Sequence, residues 1–357
     1  MKNKRVLIMA GGTGGHIYPA LACAKVFESQ GYDVRWLGSK GGMELDLVPQ
    51  HNIEIDAISI KGVRGNGLKG LLLSPFRILY AVGQSIALVR RFRPSVVLGM
   101  GGFVTGPGGV AAKLCSVPLV VHEQNAVAGT TNRLLAKVAT RVLQAFSGAL
   151  PKALTVGNPV RSNIINLRRK SEGYRLGRPL KLLVVGGSLG AQAINELMPR
   201  VLSNWSESTR LDVWHQTGKR NIDDVSVWYQ EAGVDARVEA YIENMNDAYY
   251  WADIVLCRSG AMTISELAIA GLPSILVPYP YAIDDHQTKN AESLVAVDAA
   301  KLMPQTELTK ESLTALLKVL ISDENLLNNM GEAARKVAYP NATEHVVAEC
   351  KRFIKHD

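Results

Sequence analysis

The chain is poor in the features that mark several protein classes. Only four cysteines occur in 357 residues: Cys23, Cys115, Cys257 and Cys350. They are scattered, with no CxxC pair and no histidine at ligand spacing. This argues against a disulfide framework or a zinc site and points to a reducing cytosol. Cys23 and Cys257 read as small core residues. No run of about 18 uninterrupted apolar residues is present. The best candidate, Leu71 to Val89, contains Arg77 and Gln84, so no membrane-spanning segment is expected. The five apolar residues after the basic N-terminus are too few for a signal-peptide core, and they run into glycines. There is no Gly-x-x-x-x-Gly-Lys-Ser/Thr string, which excludes a P-loop nucleotidase. No Asp-x-Asp occurs either, which weakens the case for a metal–diphosphate site. The acidic pair Asp284–Asp285 reads as a solvated loop. Aromatic residues, at 6%, are not interleaved with the basic ones as single-strand nucleic-acid binding would want.

What is present is ordinary for a globular protein, with 47% hydrophobic and 20% charged residues. At about 100–200 residues per domain, the length favours two domains. The net charge of +8 hides an asymmetry: residues 1–160 carry 18 Lys/Arg against 7 Asp/Glu (+11), and residues 161–357 carry 22 against 25 (−3). The basic half therefore suits an anionic partner: nucleic acid, a membrane surface or phosphate groups.

One unit recurs: an apolar run, a glycine-rich loop and a helix-like segment. It appears at Arg5–Phe27, Ser95–Leu114 and Lys181–Met198. Unalternated Val/Ile/Leu runs suit strands buried on both faces of a parallel sheet. The first and third copies each resemble the opening of a doubly wound domain, so two Rossmann-like domains in tandem are expected. Further strands are legible at Asp33–Leu37, Leu119–His122, Arg141–Gln144, Thr155–Val156, Leu211–Gln216, Arg237–Ala240, Ile254–Cys257 and Ser274–Val277. Gly-Asn-Pro punctuation places the linker near Pro159. A terminal helix from Ala342, after the break at Pro340, is expected to cross back onto the first domain.

A glycine loop at a helix N-terminus presents free N–H groups that suit phosphate, or it merely makes a tight turn. Three such loops, each at the carboxyl end of a buried strand, favour phosphate. A nicotinamide site is disfavoured, because Gly12-x-Gly14-x-x-Ile17 lacks the third glycine and the second strand ends Gly38-Ser39 without a ribose-binding acid. Other marked strings lie at strand ends: HEQN (122–125), NPVR (158–161) and CRSGAMTISE (257–266). Glu266 suits ribose hydroxyls, or is a helix-start acid favoured by the dipole. Arg161 is a diphosphate ligand or an interdomain ion-pair partner.

Taken in order and spacing, GGTGGH, GMGGFVTGPGG, HEQN, GNPVR, GGSLGA and CRSGAMTISE resemble the MurG family over nearly the whole chain. These are bacterial enzymes that add GlcNAc to undecaprenyl-diphosphate-MurNAc-pentapeptide. The resemblance implies an α/β GT-B fold, two Rossmann-like domains with parallel sheets facing across a cleft. It implies an acceptor and membrane-associated domain at 1–159 plus 342–357, and a UDP-GlcNAc domain at 160–341. Arg161 and Ser188 should contact the donor diphosphate, and the Ile242 backbone should read uracil. The segment Ala261, Met262, Thr263, Ile264, Ser265 and Glu266 should hold the nucleotide, with Glu266 on the ribose. Gln287 should reach the GlcNAc hydroxyls. Thr13, Gly14, Gly15 and Asn125 should complete the donor site. Gly14, Gly15, Gly102, Thr105 and Gly106 should receive the acceptor diphosphate. Leu189 and Phe103 depart from the pattern, standing where Gln and Tyr also occur. No cofactor is required, and a divalent metal is not implied. The implied partners are UDP-GlcNAc, the lipid-linked acceptor, an anionic membrane surface and cell-wall synthesis proteins, with no nucleic acid.

Such an enzyme inverts the anomeric centre in one displacement, which needs a base and stabilisation of the departing UDP. The candidate base is His16, which near a helix N-terminus stays neutral; its other reading is a hydrogen bond without proton transfer. His122 and Glu123 are the rivals. Loop N–H groups at Gly187–Gly190, with Arg161, are expected on the leaving diphosphate. Between Lys61 and Arg93, the apolar residues Leu72, Leu73, Phe76, Ile78 and Leu79 stand among cations. This suits an interfacial helix on anionic lipid, or a core helix with a basic end. Two other readings remain: another enzyme on this scaffold, such as a UDP-GlcNAc 2-epimerase, and a non-catalytic nucleotide-binding protein.

Overall fold

A computed structural model describes residues 4–60, 62, 67–167, 173–187, 190–203, 205 and 211–354, with the backbone alone at 67–73 and 283. The chain divides into two units, Met1–Arg161 with Tyr339–Asp357, and Ser162–Ala338.

The first unit holds β1 (Arg5–Met9), β2 (Asp33–Ser39), β3 (Glu54–Ile58), β4 (Val96–Gly99), β5 (Leu119–Glu123), β6 (Arg141–Gln144) and β7 (Leu154–Thr155). They form one sheet in the order β3-β2-β1-β4-β5-β6-β7, parallel at every pairing. Alternation explains the unbroken apolar runs. Val6 and Ile8 of β1 enter a core with Phe27 and Trp36, while Leu7 and Met9 enter a second core with Phe92 and Leu119 on the other face. Helices cover both faces, including Gly14–Ser29, Gly67–Phe92 and Thr105–Leu114. The helix Ala342–Lys351 completes the first core with Val346, Val347 and Cys350. It is tied down by Arg141–Glu349 at 2.7 Å and by Lys351 Nζ donating to Gln30 Oε1 at 2.9 Å.

The second unit holds β8 (Leu180–Val185), β9 (Leu211–Gln216), β10 (Ala236–Glu239), β11 (Ile254–Cys257), β12 (Ser274–Leu276) and β13 (Ala300–Leu302). Its parallel sheet runs β10-β9-β8-β11-β12-β13. Arg178 clamps Asp253 ahead of β11 through two hydrogen bonds, at 2.6 and 2.8 Å.

Two edge strands carried no usable signal. β3 (EIDAI) alternates and is mostly half-exposed, and β13 has three residues. β10 ends at Glu239, one residue short of the expected Ala240, whose carbonyl accepts from Gly218 N–H at 3.1 Å. In each sheet the strand order reverses at one place, between β1 and β4 and between β8 and β11. The loops after those four strands flank the crevice where open α/β sheets bind ligands.

Candidate active site

In the first unit, β1 runs into Gly11–Gly12–Thr13 and then the helix Gly14–Ser29, whose N-cap Thr13 makes no side-chain cap. The first amides of the helix, at Gly14 and Gly15, thus sit at an uncapped positive end suited to an anion. His16 Nδ1 lies 3.1 Å from the Gly11 carbonyl and 3.3 Å from Thr13 Oγ1. A carbonyl only accepts, so Nδ1 carries the proton and, in the neutral ring, Nε2 bears the lone pair. That is the tautomer a proton-accepting Nε2 requires.

Two features hold this loop. Glu44, wholly buried, accepts from Gly12 N at 3.1 Å, Ser39 N at 2.8 Å and Ser39 Oγ at 2.6 Å. Burial raises its carboxyl pKa, but these hydrogen bonds outweigh burial and hold it below the usual carboxylate range. From the other side, the loop after β4 packs without side chains. A β-carbon on Gly102 would strike the Gly11 carbonyl, and one on Gly101 would strike the His16 ring. Thr105 is fully buried, and its hydroxyl donates to Gly101 O at 2.7 Å. Its side chain therefore closes this loop, while Gly102 and Gly106 remain half-exposed beside it.

The two rivals of His16 are buried and engaged. His122 Nε2 donates to Gly157 O at 2.9 Å, and burial depresses the ring's pKa to about 4. Glu123 is 2% exposed and accepts from Asn125 N, Gly129 N and Asn132 Nδ2 at 2.9, 3.1 and 2.9 Å. It shapes the turn that carries Asn125. The Arg161 guanidinium lies over the Tyr18 ring, 5.3 Å from its centroid, on the same helix as His16.

In the second unit, β11 leads through Ser259–Gly260 into the helix Ala261–Ala270, which has no side-chain cap. Ser259 Oγ is buried with no partner among the described residues. Ala261 and Ile264 are buried, Met262, Thr263 and Ser265 half-buried, and Ser265 Oγ bonds back to Ala261 O at 3.0 Å. Glu266 Oε2 accepts from Tyr249 OH at 2.9 Å, which fixes the carboxylate a turn and a half into the helix. Gln287 Oε1 accepts from Tyr279 N at 2.9 Å, orienting its amide nitrogen the other way. Ile242 is 3% exposed and lies just past β10.

One expectation is corrected. The Gly187 amide donates to Gln216 Oε1 at 3.0 Å, and the Gly190 amide to Gly187 O at 2.9 Å. These two N–H groups hold the loop's own shape and do not face a leaving diphosphate. The uncapped start of the helix Gln192–Leu202 offers the remaining amides. Ser188 and Leu189 lie outside the described residues, as do Lys61 and Arg64. Glu44, Gln216 and Tyr249 escaped the sequence reading, although Gln216, the last residue of β9, obeys the same strand-end rule that marked HEQN.

Residues 75–80 of the helix Gly67–Phe92 are all exposed, with Phe76 at 72% and Leu79 at 67%. Ile78 and Tyr80 share that exposure, so this turn is not core. Leu72 and Leu73 belong to the same helix, but their side chains lie outside the described ones. No helix is long and apolar enough to cross a membrane among the described residues.

Residues 6–144 match the glycosyltransferase family 28 N-terminal domain, and residues 181–346 match the family's C-terminal domain. A protein of Shewanella pealeana named UDP-N-acetylglucosamine--N-acetylmuramyl-(pentapeptide) pyrophosphoryl-undecaprenol N-acetylglucosamine transferase is 54% identical over 356 residues, covering 99% of this chain and 98% of that protein. The chain belongs to the MurG family. The crystal structure of MurG from Acinetobacter baumannii superposes with a TM-score of 0.85 at 40% identity, over 98% of this chain and 99% of that one. The two parallel sheets are thus the GT-B architecture of MurG. A UDP-N-acetylglucosamine 2-epimerase, at 14% identity and a TM-score of 0.67 over 98% of this chain and 96% of that one, shares the fold alone.

Proposed function

We propose that this member of the MurG family is an inverting hexosyltransferase. It moves GlcNAc from UDP-GlcNAc to the 4-hydroxyl of MurNAc in undecaprenyl-diphosphate-MurNAc-pentapeptide, a step of peptidoglycan synthesis. The observation that carries this reading is full-length identity above half to a transferase of that name. The site geometry supports roles for particular residues. His16 Nε2 takes the acceptor proton, with its tautomer set by Gly11 O. The helix start at Gly14–Gly15 and the loop Gly102–Gly106 receive the acceptor diphosphate, with Thr105 closing that loop through its hydroxyl on Gly101 O and its amide on Gly102 O. Glu123 orients Asn125 and takes no proton. UDP-GlcNAc lies on the second unit, with Glu266 on the ribose, Gln287 on GlcNAc and the Ile242 backbone on uracil. Arg161, backed by Tyr18, and Ser188 meet the leaving diphosphate together with Thr13.

The enzyme sits peripherally on the cytoplasmic face of the membrane, where the exposed turn of Phe76, Ile78 and Leu79 enters anionic lipid and neighbouring cations meet the headgroups. Its work there serves cell-wall growth, and with it cell shape and division, beside other cell-wall synthesis proteins. The deciding assay is transfer of labelled GlcNAc from UDP-GlcNAc to the lipid-diphosphate-MurNAc acceptor, with a free-sugar control. Consumption or epimerisation of UDP-GlcNAc without any acceptor would overturn the proposal.

A further inference from the structure

Gln216 ends β9, the strand lying between β8 and β10. It is 3% exposed. Its side-chain amide does two things at once. It forms a closed pair with one residue of the glycine loop, accepting from Gly187 N at 3.0 Å and donating to Gly187 O at 3.0 Å. The same amide nitrogen donates to Ala240 O at 3.0 Å, on the segment that leads to Ile242. Gly187, two residues past β8, has φ +81, and Gln216 meets both its N–H and its carbonyl in that turned conformation. Backbone contacts run parallel to this clamp: Gly186 N donates to Gln216 O at 3.0 Å, and Thr217 N to Glu239 O at 2.9 Å. Beneath it, buried His215 holds Asn195 Oδ1 at 3.1 Å, and Asn195 Nδ2 donates to Thr217 O at 3.0 Å.

We infer that Gln216 is a positioning residue for the donor, setting the loop after β8 and the segment after β10 at one fixed spacing. The spacing matters because a nucleoside diphosphate is a ruler. Its phosphates and its base must meet their two binding elements simultaneously, and a shift of either element strains one contact or loses it. The inference rests on the proposed placement of UDP-GlcNAc on the second unit. Gln216 touches no substrate; it acts through Gly187 and Ala240.

The test compares Gln216→Leu and Gln216→Glu with Glu266→Gln in the full chain. Gln216→Leu removes all three hydrogen bonds and leaves the Gly187 and Ala240 carbonyls with only their backbone donors, Gly190 N and Gly218 N. The expected result is a KM for UDP-GlcNAc raised by about tenfold or more, with kcat and the acceptor KM nearly unchanged. The preference for UDP over CDP as an inhibitor should also shrink, because the base-reading segment is no longer held in register. Loss of stability alone would leave that preference intact. Gln216→Glu keeps the size and the bond from Gly187 N but faces two carbonyls without a donor. UDP affinity, measured by calorimetry, should recover as the pH falls and the carboxyl gains a proton. It also serves if the Leu variant fails to fold. Wild-type UDP/CDP discrimination in both Gln216 variants, with a raised donor KM in Glu266→Gln, would overturn the inference. A wild-type donor KM in all three would overturn the donor placement itself.

Discussion

Gly101→Ala tests the proposed role of His16 without touching it. Gly101 has φ +98, a conformation in which an L side chain is strained by about 1–3 kcal/mol. The new methyl carbon would lie 2.6 Å from His16 Cδ2 and 2.9 Å from Nε2, where ordinary contact begins at 3.4 Å. The ring must therefore withdraw by 0.8 Å, the difference between 3.4 and 2.6 Å. It cannot do so freely, because Nδ1 is tethered to the Gly11 carbonyl at 3.1 Å. A misplacement of about 1 Å can reduce a rate by about 10²-fold, and a general base contributes about 10²–10⁴-fold in all. The expected outcome in steady-state GlcNAc transfer is a kcat lowered by about ten- to a hundredfold, with a donor KM near the wild-type value. Coupling decides the cause. In a His16→Ala background the ring is gone, so Gly101→Ala should lower kcat little further. If the two losses multiply in the double variant, Gly101 acts otherwise than through His16, and the positioning argument fails.

Three further outcomes are expected. Glu266→Gln should keep the bond from Tyr249 but weaken the ribose contact, raising the KM for UDP-GlcNAc by about tenfold. The 2′-deoxy donor should lose less, and an equal loss on both donors would refute the ribose assignment. Buried His122, held at about 4, refuses a proton that the unfolded chain accepts below its ordinary 6.5. Stability of the first unit should therefore fall as pH drops from 6.5 towards 4, by about 3 kcal/mol in all at about 1.4 kcal/mol per unit. Denaturant titrations should show that slope flattened in His122→Gln, and an unchanged slope would count against it. Replacing exposed Phe76 and Leu79 by Asp should reduce cosedimentation with anionic vesicles at least about tenfold, given about 1.5–3 kcal/mol per buried apolar side chain. Turnover on a detergent-solubilised acceptor should stay near wild type, and undiminished vesicle binding would remove this turn from the membrane contact.

The parallel sheets were legible because their inner strands are buried on both faces, which leaves unbroken runs such as VLIM and LLVV ending in glycine. Two of the four edge strands were not, since β3 mixes acids with isoleucines and β13 is too short to carry a period. The polar clamps were hidden for another reason. Glu44 reaches Gly12 across 32 residues, and Gln216 reaches Gly187 across 29. No local pattern encodes such a pairing; only the strand order brings its members together. The same distance effect explains the corrected role of the Gly187 amide, which the loop sequence presents as available and Gln216 occupies.

The return of Ala342–Lys351 to the first unit has a consequence for how the protein is made. Every motif of the first site is synthesised before the second unit is begun. The wall formed by Val346, Val347 and Cys350 is synthesised only after that unit is finished. The earlier-made unit is thus the later one to close, and its apolar face waits uncovered through the whole synthesis of its neighbour. A premature stop after Ala338 would leave GGTGGH and every loop around it intact in sequence while removing the helix that seals their core.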